Sequence, residues 1–119
     1  MFIVVSPLNP DPMYKQVTDQ IKDAIAGGLL KPAEKLPSIR EMSKELKISM
    51  ITIKRAYTDL ENEGYIITRP GLGSYVANIS KQTLRDEKLT EIRVDIAKIL
   101  QSSQKFGISA DDIIALLKE

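Results

Sequence analysis

Between Lys31 and Arg55 the chain carries seven cations (Lys31, Lys35, Arg40, Lys44, Lys47, Lys54 and Arg55) against three acids (Glu34, Glu41 and Glu45). That local net charge of +4 lies in a chain of 119 residues whose total is only +1. Clustered Lys and Arg neutralise polyanions, and a total averaged over a whole surface conceals such a patch. A further cation, Arg69, opens the tip sequence Arg69-Pro70-Gly71-Leu72-Gly73, in which glycine permits positive φ and close backbone approach. Other chemistry is poorly supplied. The chain has no His and no Cys, which removes disulfides, thiolate metal sites, cysteine nucleophiles and the usual general base. The remaining Asp, Glu, Ser, Tyr, Lys and Arg fall into no motif that arranges them around a reacting atom. An enzyme is not expected, nor a bound metal or cofactor: Asp112 of the pair Asp111-Asp112 reads as a helix cap and Asp111 as a solvated charge.

Several elements must position these cations. Phe2 to Val5 is β-prone, and the three prolines of Ser6 to Pro12 interrupt regular structure after it. Asp11 can cap a helix whose first residue is Pro12. Tyr14, Val17, Ile21, Ala24 and Ile25 recur at helical spacing up to a stop at Gly27-Gly28. A connector with two prolines, Leu29 to Pro37, leads to Ser38-Ile39-Arg40-Glu41, a capping-box pattern that starts a second helix burying Ile39, Met42 and Leu46. Ser49 caps a third helix with Ile53, Ala56, Tyr57 and Leu60 inward and its end at Gly64. Tyr65 to Arg69 and Ser74 to Ala77 then read as two strands joined by a glycine turn. Three helices, the last two tightly connected, followed by a hairpin are the layout of a winged helix-turn-helix.

The third helix is polarised. Ser49, Thr52, Lys54 and Arg55 occupy its first half, Asp59, Glu61 and Glu63 its second. The helix dipole alone favours the reverse order, so the acid-free start reads as a place for an external anion. Arg69 is expected to reach phosphate or the minor groove from the hairpin tip. Beyond Asn78 the character changes: Leu89, Ile92, Ile96, Ile99 and Leu100 share an arc of about 100° on a helix that ends at Gly107. Ser109 to Asp112 forms another capping box, opening a last helix with Ile113, Ile114, Leu116 and Leu117. Two short helices cannot bury such stripes alone; the first domain or a second chain must cover them. The chain is accordingly divided into a winged helix-turn-helix DNA-binding domain at 1–78 and a helical dimerisation tail at 79–119. The fold class is mainly α with a small β-hairpin wing and a two-helix C-terminal arm. No segment approaches the roughly 20 apolar residues of a membrane span, and Met1 to Val5 lacks the layout of a signal peptide.

Leu36-Pro37-Ser38-Ile39-Arg40-Glu41, Thr52-Ile53-Lys54-Arg55-Ala56-Tyr57, Leu60-Glu61, Glu63-Gly64-Tyr65 and Gly71-Leu72-Gly73-Ser74-Tyr75-Val76 together resemble the helix-turn-helix and wing of GntR-family bacterial transcription regulators. The likeness runs over roughly residues 10 to 77. About 40 residues follow the wing, which resembles the YtrA-type subfamily with its short helical dimerisation tail. The resemblance implies a cytoplasmic, sequence-specific repressor bound as a homodimer to an inverted-repeat operator in double-stranded DNA, often that of its own operon with ABC-transporter genes. It implies DNA contacts from Arg40, Ser49, Thr52, Lys54 and the wing tip Gly71 and Gly73, with Arg55 beside them. Ser38 joins this set on phosphate, and Arg69 on phosphate or in the minor groove. The expected dimer interface is Leu89, Ile92, Ile96, Ile99, Leu100, Ile113 and Leu117. Three residues depart from the family pattern: Met50 replaces arginine or asparagine and offers a thymine methyl an apolar contact, while Lys47 and Ala33 replace glycines. A winged-helix module that binds protein and never DNA is the alternative, but it has no need of Arg40, Lys54, Arg55 and Arg69 together. No small-molecule effector is named by the sequence, and so short a tail leaves little room for a separate ligand domain.

Overall fold

The computed structural model describes residues 3–119. Its contacts divide the chain into Met1–Ser80 and Lys81–Glu119. In the first unit α1 (Met13–Ala26), α2 (Ile39–Leu46) and α3 (Met50–Asn62) precede strands β1 (Ile66–Arg69) and β2 (Gly73–Val76). The core is the sum of their inward stripes: Val17 and Ile21 of α1, Met42 of α2, Ile53 and Leu60 of α3, Ile66 and Val76 of the hairpin. The strands pair antiparallel, with Ile66 opposite Val76 and Arg69 opposite Gly73.

Both serine caps expected in this unit form. Ser38 Oγ accepts from the Glu41 N–H at 3.0 Å, and Glu41 Oε1 accepts from the Ser38 N–H at 3.2 Å. The Ser38 N–H foremost, and then the Ser38 hydroxyl, hold the Glu41 carboxyl below the usual carboxylate range, with Lys35 assisting. Ser49 Oγ likewise accepts from the Thr52 N–H at 3.2 Å. Between the two helices Lys47 takes the left-handed conformation, φ 57 and ψ 43. Ala33 is also left-handed, φ 68. The two expected glycine positions filled by other residues are thus the non-glycine positive-φ sites among the described residues.

Two expectations are corrected. Asp11 does not cap α1, and Pro12 is the cap residue instead of the first helical one, with φ −56, ψ 151 and no side-chain cap bond. The Asp11 carboxylate is drawn 3.7 Å from Lys15 Nζ, and its carbonyl accepts from Gln16 Nε2 at 2.9 Å. The β-prone start, of which Phe2 lies outside the described residues, makes no strand over residues 3–5. Its backbone is held by glutamine side chains of α1. Gln20 accepts from the Val4 N–H at 2.9 Å and donates to the Val4 carbonyl at 2.7 Å. Gln16 does the same at Ser6, at 2.9 and 3.0 Å. A primary amide offers one acceptor beside one donor group, so it satisfies an extended residue much as a neighbouring strand would.

The connector also does more than join helices. Ala33 N–H donates to the Val76 carbonyl (2.8 Å), Val76 N–H to Glu34 (2.9 Å) and Leu36 N–H to Ser74 (2.9 Å). The stretch before α2 thereby lies on the free edge of β2 and fixes the hairpin against the helix-turn-helix. In the second unit α4 (Lys81–Gln104) is followed by α5 (Ala110–Leu117), with the capping box of Ser109 and Asp112 present. The Ile108 N–H reaches back to the Ser103 carbonyl at 3.1 Å, closing the turn at Gly107. Among the described residues no helix is long and apolar enough to cross a membrane.

Gln16 is buried and makes three hydrogen bonds. Gln16→Ala strands their partners and is expected to lower unfolding stability by about 1–3 kcal/mol in urea titration. Lys47→Gly should move the urea midpoint the other way, by a stabilisation of about 0.5–1 kcal/mol, because glycine removes the Cβ strain at positive φ.

Candidate nucleic-acid interface

The position of α3 is dictated by its buried line. Ile53, Ala56 and Leu60 are fully buried and Tyr57 nearly so. Tyr57 Oη donates to the Pro37 carbonyl at 2.7 Å; burial of the phenol pushes its pKa well above the usual value, so it stays a donor. This bond ties the middle of α3 to the residue just before Ser38. It sets the start of α2, with exposed Ser38 and Arg40, beside α3. The turn between the helices closes on Ser43, whose carbonyl accepts from the Ile48 N–H at 3.1 Å and whose hydroxyl donates to the Ile48 carbonyl.

At 100° per residue the side of α3 opposite the buried line carries Ile51 and Arg55, with Met50 and Lys54 on one flank and Thr52 on the other. Ile51 is 82% exposed and Met50 49%. Ser49 and Lys54 are also exposed, Thr52 half-buried. The hydroxyls of Ser49 and Thr52 lie 2.8 Å apart and bond one another. Arg55 has a further partner: its guanidinium sits 3.6 Å above the centre of the Tyr14 ring of α1, a cation–π contact at the α1–α3 seam.

The acids at the other end of α3 are engaged within the protein. Glu63 pairs with Lys22 at 3.0 Å, and Glu61 accepts from the Thr68 hydroxyl at 2.6 Å. The inverted charge order along α3 therefore has two causes. Glu63 and Glu61 are engaged by α1 and β1, and its start is left free of acids.

At the hairpin tip the Leu72 N–H donates to the Arg69 carbonyl at 2.9 Å, with Pro70 and Gly71 (φ 75) at the two central positions of the turn. Gly73 has φ 120, and a Cβ there would come 3.1 Å from Lys35 Cε. Both glycines are needed for the backbone, and Gly73 also makes room for Lys35. Arg69 lies 5.1 Å over the Tyr75 ring, a diagonal contact on one face of the hairpin. Two cations thus converge on the wing, of which Lys35 was not among the expected contacts. The sequence also missed Ile51. Its signal was legible: an apolar β-branched residue half a turn from the buried line of a helix has no core to enter.

In the second unit Leu89, Ile92, Ile96 and Ile99 remain between 39% and 51% exposed in the single chain, and Leu117 79%. Leu100 and Ile113 are half-buried. Among the described residues no cluster of three or more acids is placed to hold a metal.

Residues 13–76 match the model of the bacterial regulatory proteins of the gntR family. The chain is 32% identical over 117 residues to the HTH-type transcriptional repressor YtrA of Bacillus subtilis, covering 98% of this chain and 90% of that one. The solved structure of YtrA from Sulfolobus acidocaldarius, a GntR-family transcription factor, superposes with a TM-score of 0.68 at 35% identity, over 85% of this chain and 99% of that chain. The DNA-binding domain of AraR, solved in complex with operator ORX1, matches 61% of this chain and 90% of its own, with a TM-score of 0.56 at 32% identity. The chain therefore belongs to the GntR family as a DNA-binding transcriptional regulator with a winged helix-turn-helix.

Proposed function

We propose that the protein is a cytoplasmic, homodimeric repressor that binds an inverted-repeat operator, that of its own operon with ABC-transporter genes. The observation that carries this reading is the first half of α3, cationic and free of acids, while Glu61 and Glu63 of its second half are held by β1 and α1. In this reading α3 enters the major groove. Ser49, Met50, Thr52 and Lys54 face the bases and nearby phosphates, and Arg55, stacked on Tyr14, meets the backbone. Ser38 and Arg40 fix the register on phosphate from the start of α2. Arg69, with Gly71 and Gly73 shaping the tip, contacts phosphate or the minor groove. The relative from Bacillus subtilis is named a repressor, and the AraR domain was solved on operator DNA.

The apolar residues of the tail supply the dimer. Leu89, Ile92, Ile96 and Ile99 form one stripe, exposed in the single chain. Leu100 continues it, and Ile113 and Leu117 add the apolar side of α5. A second copy covers this surface and spaces two recognition helices for the two half-sites.

Arg40→Ala and Lys54→Ala should each weaken binding to promoter DNA by roughly tenfold or more in a gel-shift series. Removing a cation that meets phosphate should also reduce the salt slope by about 1, with thermal midpoint and dimer mass unchanged. Arg69→Ala should give a milder loss, much the same on every sequence. Affinity indifferent to salt, or a variant that unfolds, contradicts the assignment. The double substitution Ile92→Glu with Ile96→Glu is expected to give a monomer in sedimentation and to weaken operator binding. A dimer of unchanged mass contradicts the tail's role.

A further inference from the structure

We infer that Ile51, with Met50 beside it, reads the C5-methyl groups of thymine in the major groove, so that this regulator specifies part of its site by apolar contact. The inference rests on the proposal that α3 enters that groove, and three observations point to it. Ile51 stands opposite the buried line of Ile53, Ala56, Tyr57 and Leu60, and it is 82% exposed. A β-branched residue there lowers helix propensity slightly and gains nothing from burial. Folding of this chain gives no reason for it, whereas a surface that closes over it does.

The second observation concerns the polar groups of the same turn. The hydroxyls of Ser49 and Thr52 bond one another at 2.8 Å, and Ser49 Oγ also accepts the Thr52 N–H. Ser49 caps the helix, and the Thr52 hydroxyl is bonded to that cap. Arg55 is stacked 3.6 Å over Tyr14. Of the exposed side chains at the tip of α3, Met50 and Ile51 are the ones that offer only apolar atoms.

The third observation is the charge around them. Lys54 and Arg55 flank Ile51, and no acid lies between Ile48 and Thr58. An apolar residue ringed by cations complements a surface that is anionic at its rim and apolar at a point within. The major groove of a duplex fits: phosphates line it, and the thymine methyl is the apolar group on its base edges. Contact with one methyl is worth about a fourfold change in affinity by its buried area.

The probe is a duplex enriched from a random double-stranded library by the full-length protein. Each thymine is then replaced in turn by uracil, which removes the methyl and leaves base pairing intact. Wild-type protein should bind about fourfold more weakly at one or two thymines per half-site. Ile51→Ala should bind the parent duplex more weakly and lose the thymine–uracil difference at one of those positions; Met50→Ala should lose it at a neighbouring one. Tight binding by the wild type with no uracil effect anywhere overturns the inference and leaves the DNA-binding reading intact. A uracil effect that persists unchanged in Ile51→Ala removes the assignment to that residue. If no duplex is enriched at all, the placement of α3 fails and this inference with it.

Discussion

Ile53, Ala56, Tyr57 and Leu60 lie on one side of a single helix, and that side is closed on three fronts. α1 and α2 pack against it, and β1 follows directly from its end. A helix anchored along one line can present only the opposite line to the outside. The orientation of Met50, Ile51, Lys54 and Arg55 is therefore fixed by residues buried in the core. The Tyr57–Pro37 hydrogen bond extends the same constraint to α2, because it fixes the residue before the Ser38 cap. The connector's bonds to β2 extend it to the wing. A substitution that loosened the core line of α3 would disturb all three candidate contact regions together.

Charge follows the same geometry. The near-neutral total separates into a cationic stretch from Lys31 to Arg55 and compensating acids elsewhere. Those at the end of α3 are not spare charges: Lys22 and Thr68 hold them. Exposed pairs of this kind contribute little to stability. Their consequence is positional, since they keep carboxylates on the side of α3 away from its start. Arg55 illustrates the opposite arrangement. The Tyr14 ring, an uncharged partner, orients its guanidinium at the α1–α3 seam.

Signals that act over a few residues are legible in the sequence. Ser38 with Glu41, Ser49 with Thr52 and Ser109 with Asp112 are caps whose two partners sit three positions apart. The substituted glycines at Ala33 and Lys47 marked left-handed backbone for the same reason. What escaped were bonds between distant parts of the chain. No periodicity announces that Gln16 and Gln20 take the backbone of Ser6 and Val4, or that Ala33 and Leu36 lie along β2. Asp11 failed as a cap because α1 starts at Met13, which puts Pro12 and not Asp11 at the cap position. Within the candidate interface the cations were legible from composition. Ile51 was legible as well, since the inward line of Ile53, Ala56, Tyr57 and Leu60 leaves it on the outer side; Lys35 was not, because its place depends on where the wing folds back.

The central claim is that one face, built from the start of α2, the first half of α3 and the hairpin tip, meets DNA. Backbone amide chemical shifts, followed while the 15N-labelled protein is titrated with a duplex it selects, test this most directly. The account predicts the largest shifts at Ser38–Glu41, Ser49–Arg55 and Arg69–Gly73, with Lys22, Glu61 and Glu63 little changed. Largest shifts around Lys22, Glu61 and Glu63, with α3's first half unmoved, would contradict it.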